Sequence, residues 1–297
     1  MPTSPPINKV REFALLGLLA LLWGASYPLV KIAVETIPPV TLIAVRVSVA
    51  AIFLNIVVQF QRHSFPRSKT TWAALLVQAF LNSIGAWTIL AWGQQYISSG
   101  LASILNSTSP IFVFLFTALI TRHEAATPQK LIGMMCGVLG VCLIIGVEAL
   151  NGLGQQVIAQ LAVLFGAVLY ACAAIYGHRF KALPPVVAAA GTMIWASVWL
   201  VPLALIVDHP WNLSPSFNSI IAATILAVFS TALALLIYFR LVRTLGSMGV
   251  ASQSYLRAGI GVILGIVFLG ESFNVSTGLG LLAVIIGVAA INTSAKK

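Results

Sequence analysis

The sequence predicts an all-α membrane protein: ten transmembrane helices in two inverted five-helix repeats, with both termini cytoplasmic. Three observations carry that prediction. Of 297 residues, 60% are hydrophobic and only 7% are charged, with a mean hydropathy of +1.03, whereas a soluble domain carries roughly 25% charged side chains. Basic residues fall on alternate connections between apolar runs, and the second half of the chain repeats motifs of the first.

The elements follow from apolar runs bounded by Gly, Pro, Asn and charged clusters. The first run, 13–31, follows Lys9 and Arg11. It exceeds the apolar core of a signal peptide, roughly 7–15 residues, and lacks a convincing small-residue cleavage site, so it reads as a span. Spans two to five lie near 40–60, 71–95, 99–121 and 128–147, and spans six to ten near 157–178, 185–207, 217–240, 247–269 and 274–293. A spanning helix takes about 20 residues, so ten use about 200 and leave no length for a separate soluble domain.

Charge orients these spans. One set of connections holds Lys9, Arg11, Arg62, Arg67, Lys69, Arg122, Lys130, Arg179, Lys181, Arg240, Arg243, Lys296 and Lys297; the other holds Lys31 with Glu35, Glu148, Asp208 and Glu271. Positive-inside bias places the first set, and both termini, in the cytoplasm. The net charge of +10 is therefore topogenic and not a nucleic-acid footprint. Arg46 and Arg257 belong to neither set and sit inside spans. Cys136, Cys142 and Cys172 lie in apolar stretches without the paired spacing of a metal site, and read as small hydrophobes.

The internal repeat sets the architecture. Glu124, Gly133 and Gly140 after span four recur at the same spacings as Glu271, Gly280 and Gly287 after span nine. Gly100-Leu101-Ala102-Ser103 matches Gly249-Val250-Ala251-Ser252, and Pro38-Pro39 matches Pro184-Pro185. The units are 1–150 and 151–297. Five helices per unit is an odd number, so the second copy enters the membrane from the opposite side, an arrangement typical of secondary transporters with a midplane substrate site.

Trp23-Gly24 followed by Lys31, Pro38-Pro39 followed by Arg46, Ser99 to Ser103 leading to Pro110, and the closing Glu124 and Glu271 resemble the EamA-type family of the drug/metabolite transporter superfamily, over nearly the whole chain. The resemblance implies a ten-helix bundle with a central cavity and export of amino acids or related metabolites; the family's ten-span members include aromatic amino-acid exporters. One departure concerns span nine, where the family's Pro is replaced by Arg257-Ala258-Gly259.

No enzyme signature is present: there is no His-Glu-x-x-His, no pair of intramembrane aspartates and no G-x-S-x-G. His63, His123, His178 and His209 fall at span ends, and every acid lies near a span boundary. Proton-coupled carriers keep a titratable group within the bilayer, so facilitated diffusion is the expected mode. Coupling through Glu35 or Glu271 is the alternative. No cofactor or metal is expected.

At 1.5 Å per residue, Trp23, Asn82, Pro110 and Arg257 fall near mid-bilayer, with Tyr27, Gln78, Asn106, Tyr170, Thr231 and Tyr255 close by. Buried polar groups without partners cost several kcal/mol in lipid, so these residues face the bundle interior. They are the candidate substrate-binding set, and interhelical bonding alone is the other reading of each polar member. Trp72, Trp92, Trp199 and Trp211 read as interfacial. Gly133 with Gly137, and Gly261 with Gly265, form G-x-x-x-G pairs that suit packing within the chain or a dimer interface, so monomer and dimer both stay open.

Arg257 is read as the one cation firmly at depth. Its candidate partners are backbone carbonyls, Asn82, Asn106, water or a substrate carboxylate; a phosphorylated-metabolite exchanger would want a second deep cation. The expected partners of the protein are thus the lipid bilayer and a small zwitterionic metabolite, an aromatic or apolar amino acid above all, with no nucleic acid.

Overall fold

The structure, a computed structural model, describes residues 9–117, 127–149, 155–238, 240–241, 244, 253–272 and 274–293. These are helical with no strand among them, the arrangement that satisfies every backbone group within its own segment when water is absent. Seven helices are long and apolar enough to cross a membrane: Val10–Ala33, Pro39–Phe60, Lys69–Gly93, Ser99–Phe116, Gln156–Phe180, Pro185–Val207 and Phe217–Tyr238. Pro128–Ala149, Gln253–Leu269 and Val275–Thr293 are further apolar helices.

We number the regular pieces in chain order: α1 Lys9–Gly24, α2 Ser26–Ala33, α3 Pro39–Phe60, α4 Lys69–Ala79, α5 Thr88–Gly93, α6 Ser99–Asn106, α7 Ser109–Phe116, α8 Pro128–Ala149, α9 Gln155–Gly177, α10 Pro185–Val207, α11 Phe217–Ala227, α12 Gln253–Leu269 and α13 Val275–Thr293. Several expected spans are therefore interrupted. Pro28 lacks the N–H that would reach Gly24, and the Ser26 hydroxyl donates to the Trp23 carbonyl at 2.6 Å, so α1 passes into α2 through a bend. Pro110 likewise frees the Asn106 carbonyl, which accepts from the Ser109 hydroxyl at 2.7 Å, between α6 and α7. A π-helical segment, Phe80–Trp87, joins α4 to α5, and another, Val228–Leu233, follows α11.

The two halves share these local devices. Pro39 and Pro185 occupy the first turns of α3 and α10, where a missing N–H costs nothing. Arg62 and His209, both with positive φ, follow those helices. Ser68 and Ser216 then cap α4 and α11 by accepting from the N–H groups of Thr71 and Ser219. The π segments follow in both halves. Tertiary packing repeats too: α3 lies against α10 and α8 against α13, while α1 meets α12 as α7 meets α9.

Glycine sets the α8–α13 contact. A Cβ on Gly140 would strike the Gly280 carbonyl, and one on Gly287 would strike Gly133 and Gly137. The repeat glycines thus meet crosswise, early in one helix against late in the other, so the two helices run antiparallel. Gly261 abuts Ser103, and Gly265 abuts Ser99 and Glu271, so both G-x-x-x-G pairs serve packing within the chain.

Candidate functional site

Two of the bundle's apolar clusters, one around Leu42, Val47, Leu54, Val187 and Leu200, the other around Ile104, Leu105, Val163 and Val262, meet at Tyr170, which packs against both. At that junction sits Arg46, only 8% exposed. It lies on α3, an apolar helix in which a guanidinium costs at least about 2.5 kcal/mol on insertion scales. Two contacts offset the cost. Its Nε donates to Thr231 Oγ1 at 2.7 Å, and its guanidinium lies 3.9 Å from the centroid of the Trp87 ring; a desolvated cation–π contact is worth roughly 2 kcal/mol. Tyr170, which packs against both clusters, and Tyr27, a buried member of the second, belong to the same interior.

The irregular helix segments build this arrangement. Trp87 closes the first π segment and Thr231 lies in the second, so the equivalent distortions of the two halves converge on one guanidinium. Thr231 Oγ1 also donates to the Leu226 carbonyl at 2.9 Å, five residues back, the spacing a π turn opens. Tyr27 and Asn106 come from the two proline bends, and Asn106 Nδ2 donates to the Tyr27 hydroxyl at 2.7 Å, both side chains being buried. Asn106 Oδ1 is buried without a hydrogen-bond partner.

Arg257, on α12, lies against α6, where the Ser103 hydroxyl donates to its carbonyl at 3.4 Å. Its Nε is buried without a partner. Of its candidate partners, neither asparagine answers it: Asn106 donates to Tyr27, and Asn82 Oδ1 is itself buried and unpartnered. The structure corrects the reading of Arg257 as the one deep cation. Arg46 is a second; the sequence places it inside a span, but the candidate set omits it. Trp87 was missed for want of any signal separating it from other span tryptophans.

Of the predicted residues, Thr231 holds Arg46, Asn106 holds Tyr27, Tyr170 packs against both clusters, and Arg257 lies against Ser103 on the helix that carries Asn106. Trp23 instead packs at a tilt against Tyr238, ring centroids 5.5 Å apart, within a separate cluster with Leu16, Leu19 and Ile237. Gln78 Nε2 donates to the Ala173 carbonyl at 3.2 Å and ties α4 to α9. Asn82 lies in the π segment, whose wider turn removes the regular four-residue alignment with Gln78. The Tyr255 side chain lies outside the described side chains, as does Glu124. Gln253–Leu269, the described part of span nine, is one continuous helix through Gly259.

The ends are tied by charged groups. Gly270, at φ +62°, closes α12 in a left-handed cap, with bonds from Gly270 N to Ile266 O and from Glu271 N to Gly265 O. The turn aims the Glu271 carboxylate at the N–H groups of Ser99 (2.5 Å) and Gly100 (2.9 Å), so it caps a helix of the opposite half. Asp208 caps α3 through Thr41 N (2.8 Å) and Oγ1 (2.7 Å). Lys31 Nζ donates to the carbonyls of Gln94 and Ile97, just past α5. At the other end Glu12 accepts from Arg240 Nη2 at 2.7 Å and from Thr244. A pocket of about 330 Å³ opens beside Glu271, lined by Tyr96, Gln156, Gln160 and Asn274 among others, and none of the predicted site residues lines it.

The profile of the EamA-like transporter family matches residues 12–146 and 157–293 in two copies. An uncharacterized transporter YvbV of Bacillus subtilis (strain 168) is 28% identical over 98% of this chain and 94% of its own length. An uncharacterized inner membrane transporter YedA of Escherichia coli (strain K12) is 26% identical over 94% of this chain and 90% of its own. A crystal structure superposes with a TM-score of 0.66 over 96% of this chain and 98% of that one, at 16% identity, which bears on the fold alone.

Proposed function

The chain belongs to the EamA-like transporter family, and from that premise we propose that it is an inner-membrane exporter working by alternating access of two inverted five-helix repeats. It is a multi-pass membrane protein of a transporter family rather than of an enzyme family. Ten spans with cytoplasmic termini account for the thirteen basic residues on one set of connections. The crosswise meeting of Gly133 with Gly287 and of Gly140 with Gly280 suits an in-plane twofold axis.

One observation carries the reading of the site: both halves deliver their π segment to Arg46, through Trp87 and Thr231. A site built between two halves changes shape when they rock, which is what moves a substrate from one side to the other. The substrates proposed are small metabolites with a carboxylate and a flat or apolar body, amino acids of that kind among them. The guanidiniums hold the carboxylate, and the tyrosines border the body. No described carboxylate lies in the cluster, which favours facilitated diffusion over proton coupling.

Uptake of a labelled panel into proteoliposomes, with and without a pH gradient, tests the function. Accumulation that requires the gradient would overturn the facilitative mode. Topology is tested by single cysteines in a background cleared of native ones: Asn212→Cys should react with an impermeant thiol reagent in intact cells. Labelling of Ser64→Cys from outside would overturn the orientation.

A further inference from the structure

We propose that the central site selects small organic anions of net negative charge, with zwitterions as poorer substrates; this rests on the transport reading above and narrows its substrate class. Two arginines reach the bundle interior: Arg46 between Thr231 and Trp87, and Arg257 on α12 against Ser103, three residues before the Asn106 that donates to Tyr27. Arg46 is more than nine-tenths buried, and with Nε committed to Thr231 its two Nη groups donate to no described residue. That is the fork a carboxylate or phosphate oxyanion accepts from. Arg257 Nε adds another buried donor without a partner.

The acids are elsewhere. Glu12 is held by Arg240 and Thr244, Asp208 by Thr41, and Glu271 by Ser99 and Gly100, while Glu35 is exposed. Glu124 and Glu148 lie outside the described side chains. An ammonium brought into the cluster therefore meets two like charges and neutral acceptors only. Asn106 Oδ1, buried and unpartnered beside Tyr27, suits the N–H or O–H of a neutral amide or hydroxyl. The complementary ligand has one anionic group, one neutral donor and a planar body to lie beside Tyr27 and Tyr170.

A set of molecules sharing one body separates the charge classes: N-acetylphenylalanine (net −1), phenylalanine (zwitterion) and phenylalaninamide (cation), with phenyl phosphate as competitor to distinguish phosphate from carboxylate recognition. In proteoliposomes of the full chain, N-acetylphenylalanine should move at least about tenfold faster than phenylalanine, equivalent to ~1.4 kcal/mol, and the amide should not move. An inside-positive potential should speed uptake of the anion. N-acetylphenylalanine should also raise the melting temperature of the detergent-purified protein.

Arg46→Gln should abolish that stabilisation and cut anion transport by about a hundredfold, while Arg46→Lys keeps the charge order at lower affinity. Phenylalanine moving as fast as its N-acetyl derivative in the unaltered protein would overturn the proposal, whatever the variants do. Movement of no member of the panel would remove the transport reading, and this proposal with it.

Discussion

The two halves of the chain agree in their scaffold and part company in their chemistry. Both open a helix with Pro (Pro39, Pro185), cap the next with Ser (Ser68, Ser216) and distort it into a π segment. Seven residues past the shared Pro, however, the first half has Arg46 and the second Thr192, whose hydroxyl turns back to its own helix at Ala188. The spacing that aligns Gly100 with Gly249 sets Arg257 against Thr108, whose hydroxyl donates to Leu105. Each half thus supplies one arginine where the other keeps a threonine satisfied within its own helix. A symmetric frame tolerates this because a Thr that bonds its own backbone asks nothing of its neighbours, whereas a buried Arg needs partners from several helices.

The comparison predicts that scaffold substitutions act alike in both halves, and the largest effect should come from the shared glycines. Gly287→Leu drives a side chain into the backbone of Gly133 and Gly137, and Gly140→Leu into that of Gly280. Overpacking costs about 1–3 kcal/mol even where side chains can yield, and backbone yields less. Both variants should lose most of the folded protein recovered by size-exclusion chromatography. Loss in only one of the pair would break the equivalence.

Chemical substitutions should act in one half alone. Arg257→Gln should cut transport by about a hundredfold, the roughly 3 kcal/mol of a charge-assisted hydrogen bond, with melting temperature little changed. Thr108→Ser, at the counterpart position, should leave transport within about twofold, since its bond to Leu105 is kept. Equal losses in initial-rate assays would mean that both positions serve the frame.

Glu271→Gln sharpens the comparison at the bundle end. It keeps one acceptor but removes the charge at the start of α6, and should lower stability by about 1 kcal/mol in a denaturation series. A variant as stable as the parent would assign Glu271 another task.

The smallest effects belong to the caps. Ser68→Ala and Ser216→Ala should each cost about 1 kcal/mol or less, and by similar amounts, in thermal unfolding. A marked difference between them would show that the two π-bearing helices carry unequal loads.

Hydropathy, the breaks at Pro and Gly, and the doubled Glu-Gly-Gly spacing are local properties of the chain. The sequence by itself therefore determined the membrane class, the helices near their observed bounds, the two-copy organisation and the family. Polar residues in apolar runs must turn inward, so Tyr27, Asn106 and Thr231 were legible as interior residues. Which of them meet was not. The helix carrying Arg46 is apolar around most of its circumference, so no stripe marks its inward face, and Trp87 is one tryptophan among seven. Trp23 was misplaced in the central set because depth is a property of sequence position, whereas facing Tyr238 or facing Tyr27 depends on rotation about the helix axis. The π turns and proline bends set that rotation. Only the tertiary structure, which brings both distorted helices to one guanidinium and sends Glu271 to the opposite half, decided where the charges converge.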